Sequence, residues 1–253
     1  MTMCKVYTEK MKKQVAEILR TPIVSSNKNQ GIIAENILEK NGNKHTIIKS
    51  TQKYNPKCLD PDMSDFAIGF YKIIYEKDII NASGQLINCC FAGDTMNSFN
   101  SIANITPNAG ISKKLRTKQD SWRKELKKYH NNYHCLANFW ILPMCIGRKS
   151  MKLNKYDSMD IFLSMLVEDK SYENTLGSHK EYYIHFRNYN EFFKKHFLGS
   201  YDKIRKYPYN ETNWLNLINQ AQERIKARAY QIAESEFGPA LWKYFNDLKL
   251  FNT

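Results

Sequence analysis

The sequence lacks long apolar runs and the compact motifs that identify many enzymes. Its longest hydrophobic run, residues 139–146, is far too short to span a bilayer, which needs about 20 residues. It contains no glycine-rich phosphate loop, no GxSxG and no HExxH, so the candidates for chemistry are single residues in unusual settings. The residues after Met-Thr-Met-Cys-Lys are polar, so we expect no signal peptide and a cytoplasmic protein without membrane association.

Paired cysteines are also missing. The six cysteines are scattered, and no CxxC or other regular ligand spacing occurs among Cys4, Cys58, Cys89, Cys90, Cys135 and Cys145. A structural zinc site needs Cys or His pairs at ligand spacing, so none is predicted. We expect reduced and mostly buried thiols.

Positive charge is abundant. The net charge is +13 with a pI near 9.3, which favours an acidic partner, most often nucleic acid. The chain is also rich in Lys, Asn, Ile and Tyr, and a genome with AT-rich codons produces basic proteins without such a role. Residues 112–130, however, concentrate eight basic against two acidic residues, a local charge of +6. This segment is predicted either to face phosphates or to be a solvated helix face.

Apolar residues recur at helical spacing along most of the chain. The pattern predicts helices over residues 8–20, 64–76, 112–130 and 212–236, one with Ile32, Ile33, Ile37 and Leu38 on one face, and a short one after Gly238-Pro239. Strand-like runs occur around residues 86–91 and 138–146. The predicted fold is therefore α+β, predominantly helical, with a small buried β-element formed by these two runs.

A polar connector with two prolines, residues 53–62, is the best candidate for a boundary. It predicts a small N-terminal helical subdomain, residues 1–50, and a main α+β domain, residues 51–253.

Two stretches carry the candidate chemistry. Asp94 follows a predicted strand and Gly93, where it either caps a new helix or serves as a metal ligand or general base. His134 precedes the most apolar run of the chain, and Asn138 lies within it. An amide there must find partners, because burying it unpaired costs about 1–3 kcal/mol.

The central stretch Tyr133-His134-Cys-Leu-Ala-Asn138-Phe-Trp-Ile-Leu-Pro143 resembles the YHTIGNFxxxP signature of a family of uncharacterised bacterial proteins. Three other segments also resemble that family, at residues 93–99, 156–163 and 190–198. The resemblance covers about residues 55–250 and implies no activity.

A more distant resemblance is to the HNH nuclease domain of Gmr-type modification-dependent restriction enzymes. That domain has E-H-I-x-P, then HxxGNLTLL, then a helix with a W…I…R…A pattern that ends near a Trp. Here His134…Asn138-Phe-Trp-Ile-Leu is followed by Trp214…Ile225…Arg228…Ala229 and by Trp242. The E-H-I-x-P motif is absent, Gly93-Asp94-Thr95-Met96 stands near its place, and Ala137 replaces the Gly.

The HNH resemblance implies a divalent metal, Mg or Mn, with Asp94 as its ligand, His134 as base or ligand, and Asn138 orienting the loop. The concentration of charge, rather than the resemblance, indicates which residues would hold the phosphate backbone: Lys113, Lys114, Arg116, Arg123, Lys124, Lys127, Lys128, Arg148 and Lys149.

Three functions remain open from the sequence. The first is a nucleic-acid-acting protein, a divergent metal-dependent HNH-like nuclease of a bacterial or phage conflict system. The second is a non-catalytic nucleic-acid-binding module. The third is a protein-interaction component, such as an inhibitor or immunity factor with an acidic protein partner.

Overall fold

The computed structural model describes residues 6–24, 32–33, 61–75, 91–97, 120–143, 194–199 and 214–252. This part of the chain is mostly helical with a two-stranded antiparallel sheet, which confirms the predicted α+β, predominantly helical fold. Its helices are α1 (Glu9–Arg20), α2 (Asp65–Tyr75), α3 (Asp120–Asn132), α4 (Trp214–Glu234) and α5 (Gly238–Asp247). Its strands are β1 (Ile23–Val24), β2 (Ile32–Ile33), β3 (Phe91–Thr95) and β4 (Phe139–Pro143), and 3₁₀ turns occupy Pro61–Met63, Leu136–Asn138 and Leu250–Asn252.

Helix α1 confirms the helix predicted over residues 8–20. It begins at the cap Thr8, whose hydroxyl accepts a hydrogen bond from the Met11 amide at 3.3 Å, and it ends at Thr21, before Pro22. Its buried face consists of Val15, Ala16 and Leu19.

The N-terminal helix shares its core with the C-terminal helices. The Tyr7 hydroxyl donates to the Ala233 carbonyl of α4 at 2.9 Å, and the buried residues of α1 belong to the same apolar cluster as Ile232 and Leu241. The division of the chain at residue 50 stays a prediction, because residues 34–60 lie outside the described ranges.

Helix α2 confirms the helix predicted over 64–76 and packs on α5. Ser64 caps it, because its hydroxyl accepts from the Ala67 amide at 3.2 Å. The Phe66 and Tyr244 rings stack with centroids 6.0 Å apart. The Tyr244 ring also fills the space beside Gly69, where a β-carbon would collide with it.

The long helix α4 and the break after it agree with the sequence pattern. Helix α4 lies within the predicted range 212–236, and a new helix, α5, begins at Gly238 with a proline in its first turn. Helix α3 begins at Asp120, and residues 112–119 of its predicted range lie outside the described residues. None of the helices in the described part combines the length and the apolar composition that crossing a membrane requires.

Strands β3 and β4 form an antiparallel pair, the β3–β4 pair, whose register pairs Asp94 with Trp140 and Thr95 with Phe139. Helix α3 lies between the two strands in the sequence. The predicted helix start at Asp94 is wrong, because the strand continues through Gly93 and Asp94 to Thr95. Gly93 marks a close approach between segments rather than a strand end. A β-carbon on it would overlap the Asp62 carbonyl oxygen and lie 2.7 Å from the Tyr71 hydroxyl. Residues 86–90 lie outside the described residues.

The helix predicted around Ile32 and Ile33 is also wrong at these two residues. They form β2, which pairs in parallel with β1 in the register Ile23↔Ile32 and Val24↔Ile33. β-Branched side chains suit a strand better than a helix, and the Ile23 amide is in turn held by the His134 carbonyl at 2.8 Å. Ile37 and Leu38 lie outside the described residues.

Candidate functional site

Asn138 lies at the centre of the region where the two candidate stretches meet. It is 0% exposed and sits at the end of the 3₁₀ turn that leads into β4. Its Nδ2 donates to the Asn97 carbonyl at 3.0 Å and to the Tyr133 carbonyl at 2.8 Å. Its Oδ1 accepts from the Asn97 amide at 3.2 Å and from Asn97 Nδ2 at 3.1 Å. These four bonds use both donors and both lone pairs of the amide, so Asn138 holds the chain in place and has no capacity left for a substrate.

Other bonds tighten the same point. The Tyr129 hydroxyl of α3 donates to the Asn97 carbonyl at 2.7 Å, and the Met96 amide donates to the Asn138 carbonyl at 2.8 Å. We call Asn97, Tyr129, Tyr133 and Asn138 the asparagine clamp. It joins the end of β3 to the end of α3 and to the start of β4.

Asp94, the predicted metal ligand, is partly exposed within β3. Its Oδ1 accepts a hydrogen bond from the Thr95 amide at 2.8 Å. Because directly paired residues of an antiparallel ladder share a face, its side chain lies on the same face of the β3–β4 pair as Trp140.

His134 is partly exposed beyond the end of α3. Its ring lies against Tyr133, with centroids 3.8 Å apart, and 6.2 Å from the ring of Phe139. Phe139 is paired with Thr95, the neighbour of Asp94, and side chains alternate between the two faces of a strand. The ring of Phe139, beside which His134 lies, and the side chain of Asp94 therefore lie on opposite faces of the β3–β4 pair. A shared site for Asp94 and His134 stays a prediction.

A buried carboxyl group, Asp62, also lies beside the β3–β4 pair. Its Oδ2 accepts from the Thr95 hydroxyl at 3.0 Å, and its backbone carbonyl accepts from the Tyr71 hydroxyl at 2.9 Å. Burial and then the charge of Asp62 hold the pKa of Tyr71 well above its usual value. Asp62 thus bonds to β3, while the neighbouring Ser64 caps α2.

Sequence reasoning missed a second buried polar cluster, formed by Tyr75, His196 and Arg228. Arg228 is 1% exposed, and its guanidinium donates to the carbonyls of His196 at 2.9 Å and Ala137 at 2.7 Å, and to the Tyr75 hydroxyl at 3.2 Å. In the described part no carboxylate pairs with it. The sequence contained one sign of this cluster: Arg228 lies three residues after Ile225 and four before Ile232, on the apolar stripe that α4 buries.

Burial also decides the protonation of two groups near this cluster. It lowers the pKa of His196 well below 6.5, with the Arg228 charge as the second cause, so the ring is neutral near pH 7. His196 Nδ1 lies 3.2 Å from the Tyr75 hydroxyl. Burial raises the pKa of the Cys135 thiol to about 12, so Cys135 is a protonated, unreactive core residue, in agreement with the predicted buried thiols.

Of the predicted phosphate-binding residues, Lys124, Lys127 and Lys128 lie exposed on α3. Lys128 forms a loose ion pair with Glu125 at 3.8 Å. The backbone of Arg123 belongs to the same helix, but its side chain lies outside the described atoms, as do Lys113, Lys114, Arg116, Arg148 and Lys149. The structure thus places one part of the predicted basic surface together on a single helix.

Within the described ranges, no three His, Cys, Asp or Glu side chains are grouped so that they could hold a metal ion. No protein-family model, curated protein or solved structure matches the chain significantly.

Proposed function

We propose that this protein binds nucleic acid through the exposed basic face of α3. The observation that carries the proposal is the exposure of Lys124, Lys127 and Lys128 on a helix whose other face is tied into the core through Tyr129. Lysines on a rigid helix can contact successive phosphates without ordering a loop first. The net charge of +13 adds long-range attraction for a polyanion, and the site of action we propose is cytoplasmic.

The salt dependence of binding tests this proposal. The Lys124→Ala, Lys127→Ala double variant should bind DNA or RNA more weakly, and the slope of log K against log salt should fall by about 2, one unit for each lost phosphate contact. The matched control is Lys10→Ala, Lys13→Ala, which removes the same charge from exposed positions on α1.

Each outcome separates the alternatives. An equal loss of binding in both double variants would mean that net charge alone attracts the polyanion, and it would overturn the α3 site. Salt-sensitive binding to a protein, with none to nucleic acid, would instead support an inhibitor or immunity component.

A second candidate is a metal-dependent phosphodiesterase distantly related to HNH nucleases, acting in a bacterial or phage conflict system. The observation in its favour is that parts of the two stretches of that resemblance pair as neighbouring strands, since residues 93–95 of β3 lie opposite residues 139–141 of β4. The partly exposed Asp94 belongs to this pair. In this proposal Asp94 binds Mg or Mn, and His134 is the general base or a further ligand.

Cleavage tests the second candidate. Purified protein with Mg or Mn should cleave DNA or RNA, and Asp94→Asn should abolish cleavage while the α3 lysines still bind the substrate. Absence of cleavage by the wild-type protein with either metal, while binding persists, would reject the enzyme and leave the binding function intact.

A further inference from the structure

We propose that the C-terminal end of α3 binds single-stranded nucleic acid, by stacking unpaired bases on the rings beside its lysines. The inference rests on the proposed nucleic-acid-binding function and adds the class of ligand. It is carried by four aromatic or imidazole rings, two in the last turn of α3 and two just beyond its end, which are Tyr129, His130, Tyr133 and His134.

These rings form a graded series from the core to the surface. The Tyr129 and Tyr133 rings stack with centroids 5.9 Å apart and an angle of 27° between their planes. The Tyr133 ring then contacts His134 at 3.8 Å and His130 at 6.0 Å. Tyr129 is fully buried, Tyr133 and His134 are partly exposed, and His130 is exposed. The outer rings of the series therefore present surface to a ligand, while the inner ones support them.

The lysines lie at the same end of the helix. Lys127 precedes His130 by three residues and Asn131 by four, so these side chains are neighbours on the surface of α3. Lys124 lies one turn further back on the same side as Lys127 and Lys128. Proteins that bind single strands combine positive charge, which attracts the phosphate backbone, with neighbouring rings on which the bases stack.

A duplex does not satisfy both features. Its bases are paired and stacked inside the helix, so their faces are closed to rings on a protein surface, whereas the bases of a single strand can turn outward. The backbone at Tyr133 and His134 is also held before any ligand binds. The Tyr133 amide donates to the Tyr129 carbonyl at 2.9 Å, and the His134 carbonyl accepts from the Ile23 amide. Little conformational entropy is then lost on stacking.

The test compares three fluorescent ligands of equal length, a homothymidine oligonucleotide, an abasic oligonucleotide and a duplex. Removing the bases keeps every phosphate, so the abasic ligand reports the lysine contribution alone. The full chain should bind the thymidine strand about 5- to 150-fold more tightly than the abasic strand, which is the range expected for one stacked base.

The variants locate the stacking surface. His130→Ala, His134→Ala should reduce the preference for the thymidine strand and leave the affinity for the abasic strand unchanged. Asn131→Ala, Asn132→Ala is the matched control, since both residues are exposed at the same end of α3 and have no ring. His130→Ala alone serves as a second variant, because this exposed position tolerates substitution even if the double variant folds poorly. His130→Phe should restore the preference.

Equal affinity for the thymidine and abasic strands would overturn the stacking inference and leave the proposed function standing. A preference that survives in His130→Ala, His134→Ala would overturn the assignment to these rings. Failure to bind any of the three ligands, together with failure to bind their RNA counterparts, would refute the proposed function itself.

Discussion

Replacing Asn138 with alanine removes four hydrogen bonds from a fully buried point of the fold. Each buried bond contributes about 1 kcal/mol net, so the expected loss in the free energy of unfolding is about 4 kcal/mol. Some groups keep a second bond, since the Asn97 carbonyl still accepts from Tyr129 and the Tyr133 carbonyl from the Cys135 amide. A loss of this size is a large fraction of the 5–15 kcal/mol that typically stabilises a domain.

Asn138→Asp sharpens the same prediction, because it keeps the shape and changes only the donors. A carboxylate oxygen would face the Asn97 and Tyr133 carbonyls, to which Nδ2 now donates. At pH 7 this repulsion should destabilise the protein at least as much as alanine does. The folded state should raise the pKa of the new carboxyl group above about 3.9, so part of the stability should return as the pH falls toward that range and the carboxyl group becomes a donor.

Urea denaturation followed by tryptophan fluorescence and by circular dichroism measures these changes. Asn132→Ala is the control, since Asn132 is exposed on α3 and its loss should change stability by less than about 0.5 kcal/mol. A loss below about 1 kcal/mol for Asn138→Ala would refute the assignment of Asn138 as the centre of the asparagine clamp.

Two further predictions concern close packing and pH. Gly93→Ala should lower the free energy of unfolding by about 1–3 kcal/mol, because its β-carbon would overlap the Asp62 carbonyl oxygen; an unchanged urea midpoint would contradict this. The unfolded chain protonates His196 near its ordinary pKa of 6.5, whereas the buried folded-state ring stays neutral. The free energy of unfolding should therefore have its full value above pH 6.5 and fall by up to about 1.4 kcal/mol per pH unit below it. His196→Gln should remove that pH dependence.

The helices illustrate what local pattern determines. Apolar residues at helical spacing, a cap such as Thr8 and the break at Gly238-Pro239 predicted the helices at 8–20, 64–76 and 212–236, and the structure contains them. These signals act between residues within one or two turns, so the sequence itself contains all the information.

The arrangement of the candidate site could not be predicted from local sequence pattern in this way. The face of the β3–β4 pair on which Asp94 lies depends on its pairing with Trp140, which is 46 positions away in the chain. A shift of the register by one residue would move Asp94 to the other face. The register places Asp94 on the face of Trp140 and Thr95 on the face of Phe139, and neither assignment can be read from the local sequence pattern.

The amino-acid sequence by itself determined the helical class, the principal helices and the concentration of basic residues on α3. Only the tertiary structure decided that Gly93 lies inside a strand, that Asn138 joins α3 to the β3–β4 pair, and that Arg228 forms hydrogen bonds with Tyr75 and His196. Arg228 and Tyr75 are 153 residues apart, and His196 and Tyr75 are 121 apart. Contacts over such distances arise from how the elements pack, and the residues that form them have no periodic or local pattern that announces their partners.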